Sequence, residues 1–249
     1  MAGRSLKSEA IVLRSMRYGE ADRILHLYTP GRGRVSAIAK GVRKAKSRFG
    51  GRLEPFFHIE GMFHEGRSEM LTVTGATTIT AHARLREHGP SLDAAARACD
   101  AVSRLFATDD PHPGVFHLLA NQLGLLDAGA GGDRYATAAN GLAFRLKLLL
   151  AAGIAPQLSA CASCGEAEHV SGFSGAQGGV VCPACEAGAF RLDEPSHAFL
   201  VGSLALPLAQ APAAAPAALR QADRAVRETA EHHAGVRLAS LSDRVASAV

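Results

Sequence analysis

Two cysteine pairs constrain the fold of this chain more than any other feature. Cys161–Cys164 and Cys182–Cys185 are both C-x-x-C motifs, and residues 165–181 separate them. This spacing is typical of zinc sites, in which two tight turns each present two sulfurs to one ion. Four thiolates leave no open coordination position, so the pattern predicts one structural zinc ion rather than a catalytic metal.

Other interpretations of the cysteines are weaker. Cys182-Pro-Ala-Cys185 alone would also be typical of disulfide exchange, but the second pair at this distance favours a metal. His169 lies between the pairs and is an alternative fourth ligand. Cys99 falls on the apolar face of a predicted helix, where we expect a buried thiol. Metal-type pairs and an N-terminus without signal-peptide features predict a reducing, cytoplasmic location.

The first part of the chain predicts a small β-barrel. Between residues 6 and 76, short runs rich in Val, Ile, Leu, Phe and Thr alternate with Gly, Pro and charged clusters. Five such strands curl into a barrel of the OB type, although an SH3-like barrel has nearly the same pattern. The predicted strands are Glu9–Arg14, Ile24–Thr29, Arg34–Lys40, Phe56–Phe63 and Met70–Thr74.

The remainder predicts helices, because its apolar residues recur at helical spacing. The longest run without a polar side chain there, 148–156, is too short to span a membrane. The sequence therefore predicts an α+β multidomain protein, with a barrel domain at 1–80 and an all-α domain at 81–249 that carries a four-cysteine zinc-binding insert at about 156–190. The predicted helices are 91–106, Gly114–Asp127, Arg134–Ala152, Pro195–Leu208 and Leu219–Ala248, with a loop at Ala209–Ala218.

Charge is concentrated near the N-terminus. The net charge is only +4, yet residues 1–52 contain thirteen Lys or Arg against three acidic residues, a local balance of +10. The densest stretch, residues 40–52, has six cations and no acidic residue. A phosphate backbone would relieve this self-repulsion, whereas a solvated face that confers solubility is the alternative interpretation. The residues predicted to bind nucleic acid are Arg14, Arg17, Tyr18, Lys40, Arg43, Lys44, Lys46, Ser47, Arg48 and Arg52.

Three aromatic residues near these cations are candidates for base stacking. They are Tyr18, Phe49 and Tyr28. An exposed ring stacked on a base contributes about 1 to 3 kcal/mol. Most aromatic residues of a small barrel are buried in its core, which is the competing interpretation for each of them.

The sequence predicts that the protein is not an enzyme. It lacks an H-E-x-x-H motif, a P-loop, a nucleophile elbow and a dinucleotide fingerprint. Glu20 and Asp22 are the only close acidic pair in the basic segment, and we interpret them as caps of backbone amides or partners of Arg17 and Arg23. A metal-dependent nuclease is the remaining catalytic alternative.

An ordered set of motifs resembles the RecO family of bacterial DNA repair proteins. The resemblance covers roughly the first 190 residues, and the segment after Leu208 adds little to it. At Glu54 several relatives are expected to have Gln. The matching residues are Glu9–Arg14, Tyr18-Gly19-Glu20, Asp22, Thr29, Gly33, Ala39-Lys40-Gly41, Arg43, Lys46-Ser47-Arg48, Leu53-Glu54-Pro55-Phe56, Leu158, Cys161, Cys164-Gly165, Gly178-Gly179, Cys182 and Cys185.

The resemblance implies an N-terminal OB-fold, a helical C-terminal domain and a zinc-binding insert. It also implies a recombination mediator that binds single- and double-stranded DNA, anneals complementary strands and helps load RecA onto DNA coated by single-strand-binding protein. RecR and the acidic C-terminal tail of single-strand-binding protein are the implied partners, and the location is cytoplasmic and nucleoid-associated.

Two hypotheses complete the sequence-based prediction. The first is that the tail of single-strand-binding protein binds the helical domain in an apolar pocket with arginines such as Arg134 or Arg145. The second is the alternative function, a non-enzymatic zinc-containing adaptor whose basic loop binds an acidic protein.

Overall fold

A computed structural model describes residues 4–44, 46–66, 68–106 and 109–241. The chain divides into two compact units, Met1–Gly131 and Gly132–Val249. The predicted domain boundary near residue 80 stays a prediction, because compactness alone does not show which parts fold independently.

The first unit begins with five strands that form a closed barrel in the order β1-β2-β3-β5-β4. The pairs are antiparallel except for β3 with β5, and β1 closes the barrel by pairing with β4. This is the arrangement of an OB-fold, so the predicted fold class is confirmed. The strands are β1 Arg4–Tyr18, β2 Asp22–Thr29, β3 Gly33–Ala39, β4 His58–Glu65 and β5 Leu71–Thr80.

Alternation of side chains positions the barrel core. In β3, Val35, Ala37 and Ala39 are buried while the residues between them are half-buried on the outer face. β1 is much longer than predicted, because a register shift between Val12 and Arg14 lets one strand pair with both β2 and β4. Charged residues at its ends face solvent, so they do not terminate the strand as the sequence pattern suggested.

Three helices complete the first unit: α1 Ala83–Glu87, α2 Gly89–Leu105 and α3 Pro113–Ala128. Helix α1 is absent from the sequence-based prediction, since a single turn has too few residues to display periodicity. Helix α2 contacts β1 and α3 contacts β2. Arg34 fastens β3 to α2, because its Nη1 donates to the Ser103 carbonyl at 2.6 Å.

The turn between β2 and β3 depends on glycine. Gly33 has φ +61°, and a Cβ there would lie 2.1 Å from the Asp110 carbonyl oxygen. Thr29 Oγ1 closes the turn by accepting from Arg32 N at 3.2 Å. Pro30-Gly31-Arg32-Gly33 therefore forms a turn between the two strands, and its last glycine also admits a close approach of backbone from beyond α2.

We expect Gly33→Ala to lower the free energy of unfolding by at least about 2 kcal/mol. The left-handed backbone alone costs an L-residue about 1–2 kcal/mol, and the clash with Asp110 adds to that cost. Gly31→Ala is the matched control in the same turn, since a Cβ there meets no atom within 4 Å. Equal urea midpoints for the two variants would contradict this account.

The second unit contains three helices and a small sheet. Its strands β6 Gly172–Ser174, β7 Gly179–Val181 and β8 Phe190–Arg191 are ordered β7-β6-β8. The helices are α4 Ala138–Ala151, α5 Glu194–Ala205 and α6 Pro216–Ala234. Helix α4 contacts both α5 and α6.

The predicted last helix, Leu219–Ala248, is wrong at its C-terminal end. It stops at Ala234 because Gly235 adopts a left-handed conformation with φ 65° and caps it. Residues 235–241 are not helical, and 242–248 lie outside the described residues. The predicted start of α4 at Arg134 is also too early, since Thr137 accepts from Asn140 N at 3.1 Å and caps the helix there.

A buried ion pair attaches the segment after α6 to the helices of the second unit. Arg145 and Asp223 have side chains 3% and 1% exposed, and their nearest atoms are 3.8 Å apart. Arg145 Nη1 donates to the Ala239 carbonyl at 2.6 Å, and Asp223 accepts from Ser240 Oγ at 2.8 Å. Both ions therefore hold residues 239–240 in place as well as each other.

We expect Asp223→Ala to destabilise the protein by roughly 3–5 kcal/mol, because it removes the buried carboxylate that lies beside the buried Arg145 guanidinium. Chemical unfolding followed by circular dichroism measures the loss. Glu231→Ala is the control on the same helix, since it removes an exposed pair with Arg237 worth at most about 1 kcal/mol. A similar small loss in both variants would refute the structural role of Asp223.

Candidate nucleic-acid interface and metal centre

The basic loop, defined as residues 40–52, follows β3 and presents its cations to solvent. Within it the chain makes successive turns, with Lys44 N donating to Gly41 O and Ser47 N to Lys44 O. Ser47 is half-buried, and its Oγ accepts from Phe49 N at 3.3 Å. The exposed cations are Lys40, Arg43, Lys44, Lys46, Arg48 and Arg52.

The start of the basic loop is bonded to the turn between β1 and β2. Asp22 Oδ1 accepts from Gly41 N at 2.7 Å, where Gly41 has φ +67°. Arg43 donates from its backbone N to Ala21 O at 2.9 Å and from Nη1 to Glu20 O at 3.0 Å. The interpretation of Asp22 as a cap of a backbone amide is confirmed, and it places the first loop cations beside the β1–β2 turn.

Apolar side chains hold the rest of the basic loop on the barrel. Phe49 is 1% exposed and belongs to the barrel core, with Leu53 beside it and Val42 packed against the same core. The Arg48 guanidinium lies 4.9 Å from the centre of the Phe49 ring. Arg52 Nη1 donates to the Phe49 carbonyl at 3.2 Å. The loop therefore buries Phe49, packs Val42 against the same core and directs its charges outward.

Two of the three candidate stacking aromatics are buried, so the stacking hypothesis is wrong for them. Phe49 lies in the barrel core, and Tyr28 is 0% exposed with its ring 6.3 Å from that of Phe106. Burial, and secondarily the charge of Asp110, raises the pKa of Tyr28 to about 12. Tyr18 is 54% exposed and remains the candidate.

Strand register brings Arg17 and Tyr18 to the same end of the barrel as the start of the basic loop. Tyr18 pairs with Asp22, and Arg17 pairs with Arg23. Arg23 is neutralised, because its Nη1 donates to Glu54 at 2.9 Å and to Ser15 Oγ at 3.0 Å. Glu54, where relatives are expected to have Gln, therefore balances a cation. Arg14, Arg17 and Tyr18 are exposed.

The four paired cysteines form one cluster. Their sulfur atoms all lie within 4.8 Å of one another, and those of Cys164 and Cys182 are 3.6 Å apart. Zinc–sulfur bonds of about 2.3 Å set the edges of a tetrahedron at about 3.8 Å, so the arrangement fits a Zn²⁺ ion. His169 is exposed and is not part of this cluster, and Cys99 lies in the core, where burial raises its pKa to about 12.

Local backbone geometry produces the cysteine cluster. Gly165 N donates to Cys161 O at 2.9 Å and Cys185 N to Cys182 O at 3.0 Å, which closes a tight turn around each pair. Backbone N–H groups of Cys182 and Cys164 lower the pKa of Cys161 to about 6. Gly179 allows the insert to pack closely, since a Cβ there would lie 2.2 Å from the Gln157 carbonyl oxygen.

The structure contradicts one hypothesis about the helical region and leaves another open. Arg145 is buried against Ala239 and Asp223, so it does not line a pocket for an acidic peptide. Arg134 is exposed, with its guanidinium 5.1 Å from the centre of the Tyr135 ring. A role for Arg134 in binding such a tail stays a prediction.

Sequence reasoning missed the polar residues on the outer face of β2 and β3. His26 and Arg34 are half-buried there, and Ser36 Oγ lies 3.2 Å from His26 Nδ1. The alternation of β3 carried the signal, because Arg34 and Ser36 are separated by one buried residue and thus share a face.

No helix among the described residues is long and apolar enough to cross a membrane.

Known proteins resemble this chain along nearly its whole length. The family models described as Recombination protein O N terminal and Recombination protein O C terminal match residues 1–82 and 87–242. The DNA repair protein RecO of Rubrobacter xylanophilus is 41% identical over 216 residues, which are 82% of this chain and 83% of that protein. The RecO protein of an Anaeromyxobacter species is 37% identical over 245 residues, 94% of this chain and 93% of its own. Since both family models and these relatives cover most of the sequence, the chain belongs to the RecO family.

Proposed function

We propose that this protein is a DNA repair and recombination mediator that binds single- and double-stranded DNA and anneals complementary strands. The observation that carries the proposal is the basic loop, whose six cations are exposed while its Phe49 is buried in the barrel core. Membership of the RecO family supports the same function. The ten residues predicted from the sequence remain the proposed DNA contacts, with Arg14 assigned to single strands alone.

Annealing follows from charge neutralisation. Two DNA strands repel each other through their phosphates, and lysines and arginines that bind those phosphates release counterions and reduce the repulsion. The basic loop and Arg17 lie at the same end of the barrel, so one surface is able to contact both strands. Tyr18 offers an exposed ring for a base. This mechanism moves strands and needs no bond-making step.

The family relationship supports the proposed partners. A mediator of this kind acts with RecR, recognises the acidic tail of single-strand-binding protein and helps RecA replace that protein on DNA. The action takes place on the nucleoid in the cytoplasm.

Cys161, Cys164, Cys182 and Cys185 would hold one zinc ion in the second unit. Zinc, when bound, joins the two turns and contributes folding free energy, and four thiolates leave it no position for a substrate. The role is therefore structural. Strands β6 and β7 lie between the two cysteine pairs in sequence, and β8 follows the second pair. Val181 of β7 packs in the same cluster as Cys161 and Cys182.

We expect the double variant Lys44→Glu, Lys46→Glu to bind DNA at least tenfold more weakly. The slope of log affinity against log salt is negative, and each lost phosphate contact makes it less steep by about 0.7 for a single strand. The two substitutions should therefore reduce its steepness by about 1.4 or more. Fluorescence anisotropy with a labelled dT oligonucleotide, measured over a range of salt concentrations, tests both expectations.

The matched control for the loop is Arg4→Glu, Lys7→Glu, which reverses two exposed charges at the other end of β1. An unchanged affinity and slope in the loop variant would remove the basic loop from the interface.

Annealing of complementary strands by the wild type discriminates between functions. An adaptor for an acidic protein would anneal no strands, and a nuclease would shorten labelled DNA in the presence of magnesium.

We expect the protein as purified to contain one zinc ion per chain by elemental analysis. Cys182→Ser should lose the ion, and a chelator should lower the thermal midpoint of the wild type by about 5 °C or more, since about 2 kcal/mol corresponds to roughly 4–8 °C for a chain of this size. Cys99→Ala is the control that keeps the ion. The proposed site would be refuted if the purified wild type contained no metal and its thermal midpoint did not change when zinc was added.

A further inference from the structure

A cleft lies between the outer face of β1–β3 and one side of helix α2. Its volume is about 630 Å³, a size typical of pockets that hold small-molecule ligands. The residues that α2 contributes, Ala96, Cys99, Asp100 and Ser103, follow helical spacing and so form one face of that helix. All of these elements belong to the first compact unit.

Strand register converges polar side chains on this cleft. Arg14 of β1 pairs with His26 of β2, and His26 pairs with Ser36 of β3. Arg34 shares the outer face of β3 with Ser36 and donates from Nη1 to the Ser103 carbonyl and hydroxyl at 2.6 and 3.2 Å. All five of these residues line the cleft.

The charge of the cleft is positive. Two guanidiniums line it, and Asp100, the only acidic side chain among its described lining residues, is paired with Arg104 at 2.7 Å. Burial, followed by the charges of Arg34 and Arg14, lowers the pKa of His26, so the imidazole is neutral at pH 7. Arg14 is exposed and makes no hydrogen bond or ion pair within the part of the chain that the structure describes.

An unusual backbone conformation occurs at the same place. Phe56 lines the cleft with φ 72°, in the left-handed region that bulky L-residues rarely adopt. It is held there on both sides, because its N donates to Val12 O at 2.8 Å and its carbonyl lies 2.7 Å from His82 Nδ1. Strained residues that the surroundings hold so firmly cluster at ligand sites.

The outer face of β3 runs from the cleft to the first residue of the basic loop. Residues two apart in a strand point to one face, so Arg34, Ser36, Ile38 and Lys40 follow each other at intervals of about 6.6 Å. Lys40 begins the basic loop, about 20 Å from Arg34 by the same geometry. Half-buried Met16, Ile24 and Ile38 pair across the three strands in between and form an apolar row.

From this arrangement we propose that the cleft binds a phosphate group of a single DNA strand that runs from the basic loop across the outer face of β1–β3 to helix α2, with Arg14 as its principal contact. Guanidinium groups match phosphate oxygens in geometry, and serine hydroxyls add donors. The volume suits a group of nucleotide size, whereas a duplex is too wide to enter. The inference rests on the proposed function and assigns single strands a subsite that duplexes do not reach.

The test compares Arg14→Ala with Arg4→Ala, the same exposed change near the other end of the same strand, ten residues away along the chain. The full-length protein is titrated with labelled dT15 and with a duplex. We expect Arg14→Ala to bind dT15 about five- to tenfold more weakly, and its slope of log affinity against log salt should be less steep by about 0.7. The same variant should bind the duplex as the wild type does. Arg4→Ala should match the wild type on both.

An NMR titration of the His26 imidazole provides a second measurement. A bound phosphate beside Arg14, Arg34 and Asp100 should raise the pKa of His26, because a negative charge stabilises the imidazolium. Saturation with dT15 should therefore raise this pKa, and the duplex should leave it unchanged.

The outcomes separate this inference from the proposed function. If Lys44→Glu, Lys46→Glu abolishes binding while Arg14→Ala binds dT15 normally and the pKa of His26 does not respond, the subsite is wrong and the proposed function stands. If the wild type binds no DNA, both fail. If dTMP shifts His26 at a lower concentration than dT15 does, the cleft takes a free anion, which also overturns the assignment to a DNA strand.

Discussion

Burial of Phe49 and Leu53 in the barrel core is the contact on which the proposed interface depends. A segment of six cations repels itself and would extend into solvent if charge alone decided its shape. Removing a phenylalanine or a leucine side chain from water contributes about 1.5–3 kcal/mol. This exceeds the repulsion of about 1 kcal/mol between two like charges that lie about 4 Å apart in water. The loop is therefore held against the barrel, and its lysines and arginines have one direction left to point.

Acidic residues around this loop hold the structure together without reducing its charge at the surface. The Asp22 carboxylate accepts from the backbone N of Gly41, and the Glu54 carboxylate pairs with Arg23 of β2. Both carboxylates therefore have partners within the barrel unit. The basic loop itself contains no acidic residue, so no carboxylate within it balances the charge of the cations from Arg43 to Arg52. In the proposed cleft, too, the one carboxylate among the described lining residues, Asp100, is paired with Arg104 of α2.

The second unit uses two different interactions to fix segments that have little secondary structure. In the insert, short strands and tight turns bring four sulfurs together at distances that suit a zinc ion. Beyond α6, the buried pair of Arg145 and Asp223 binds the backbone of residues 239–241 directly. One arrangement groups four thiolates and the other buries a guanidinium beside a carboxylate, so we expect a loss of stability when the ion or a charged partner is removed.

Local chemistry was sufficient for the parts of this protein that depend on neighbours in sequence. Five strands, the cysteine cluster, the turn at Gly33, the cap at Asp22 and the exposure of the loop cations all follow from spacing, turn residues and charge density. The end of α6 at Gly235 was a local signal too, but the long amphipathic pattern around it concealed the stop.

Tertiary structure decided which side chains meet across strands and helices. The sequence could not show that β1 continues through a register shift to pair on both sides, that Phe49 and Tyr28 are core residues, or that Arg145 is buried against Asp223. The cleft beside α2 belongs to the same class, because Arg14, His26 and Arg34 come together only through register between strands. Burial and pairing are properties of distant segments packed together, and periodicity within one segment does not contain them.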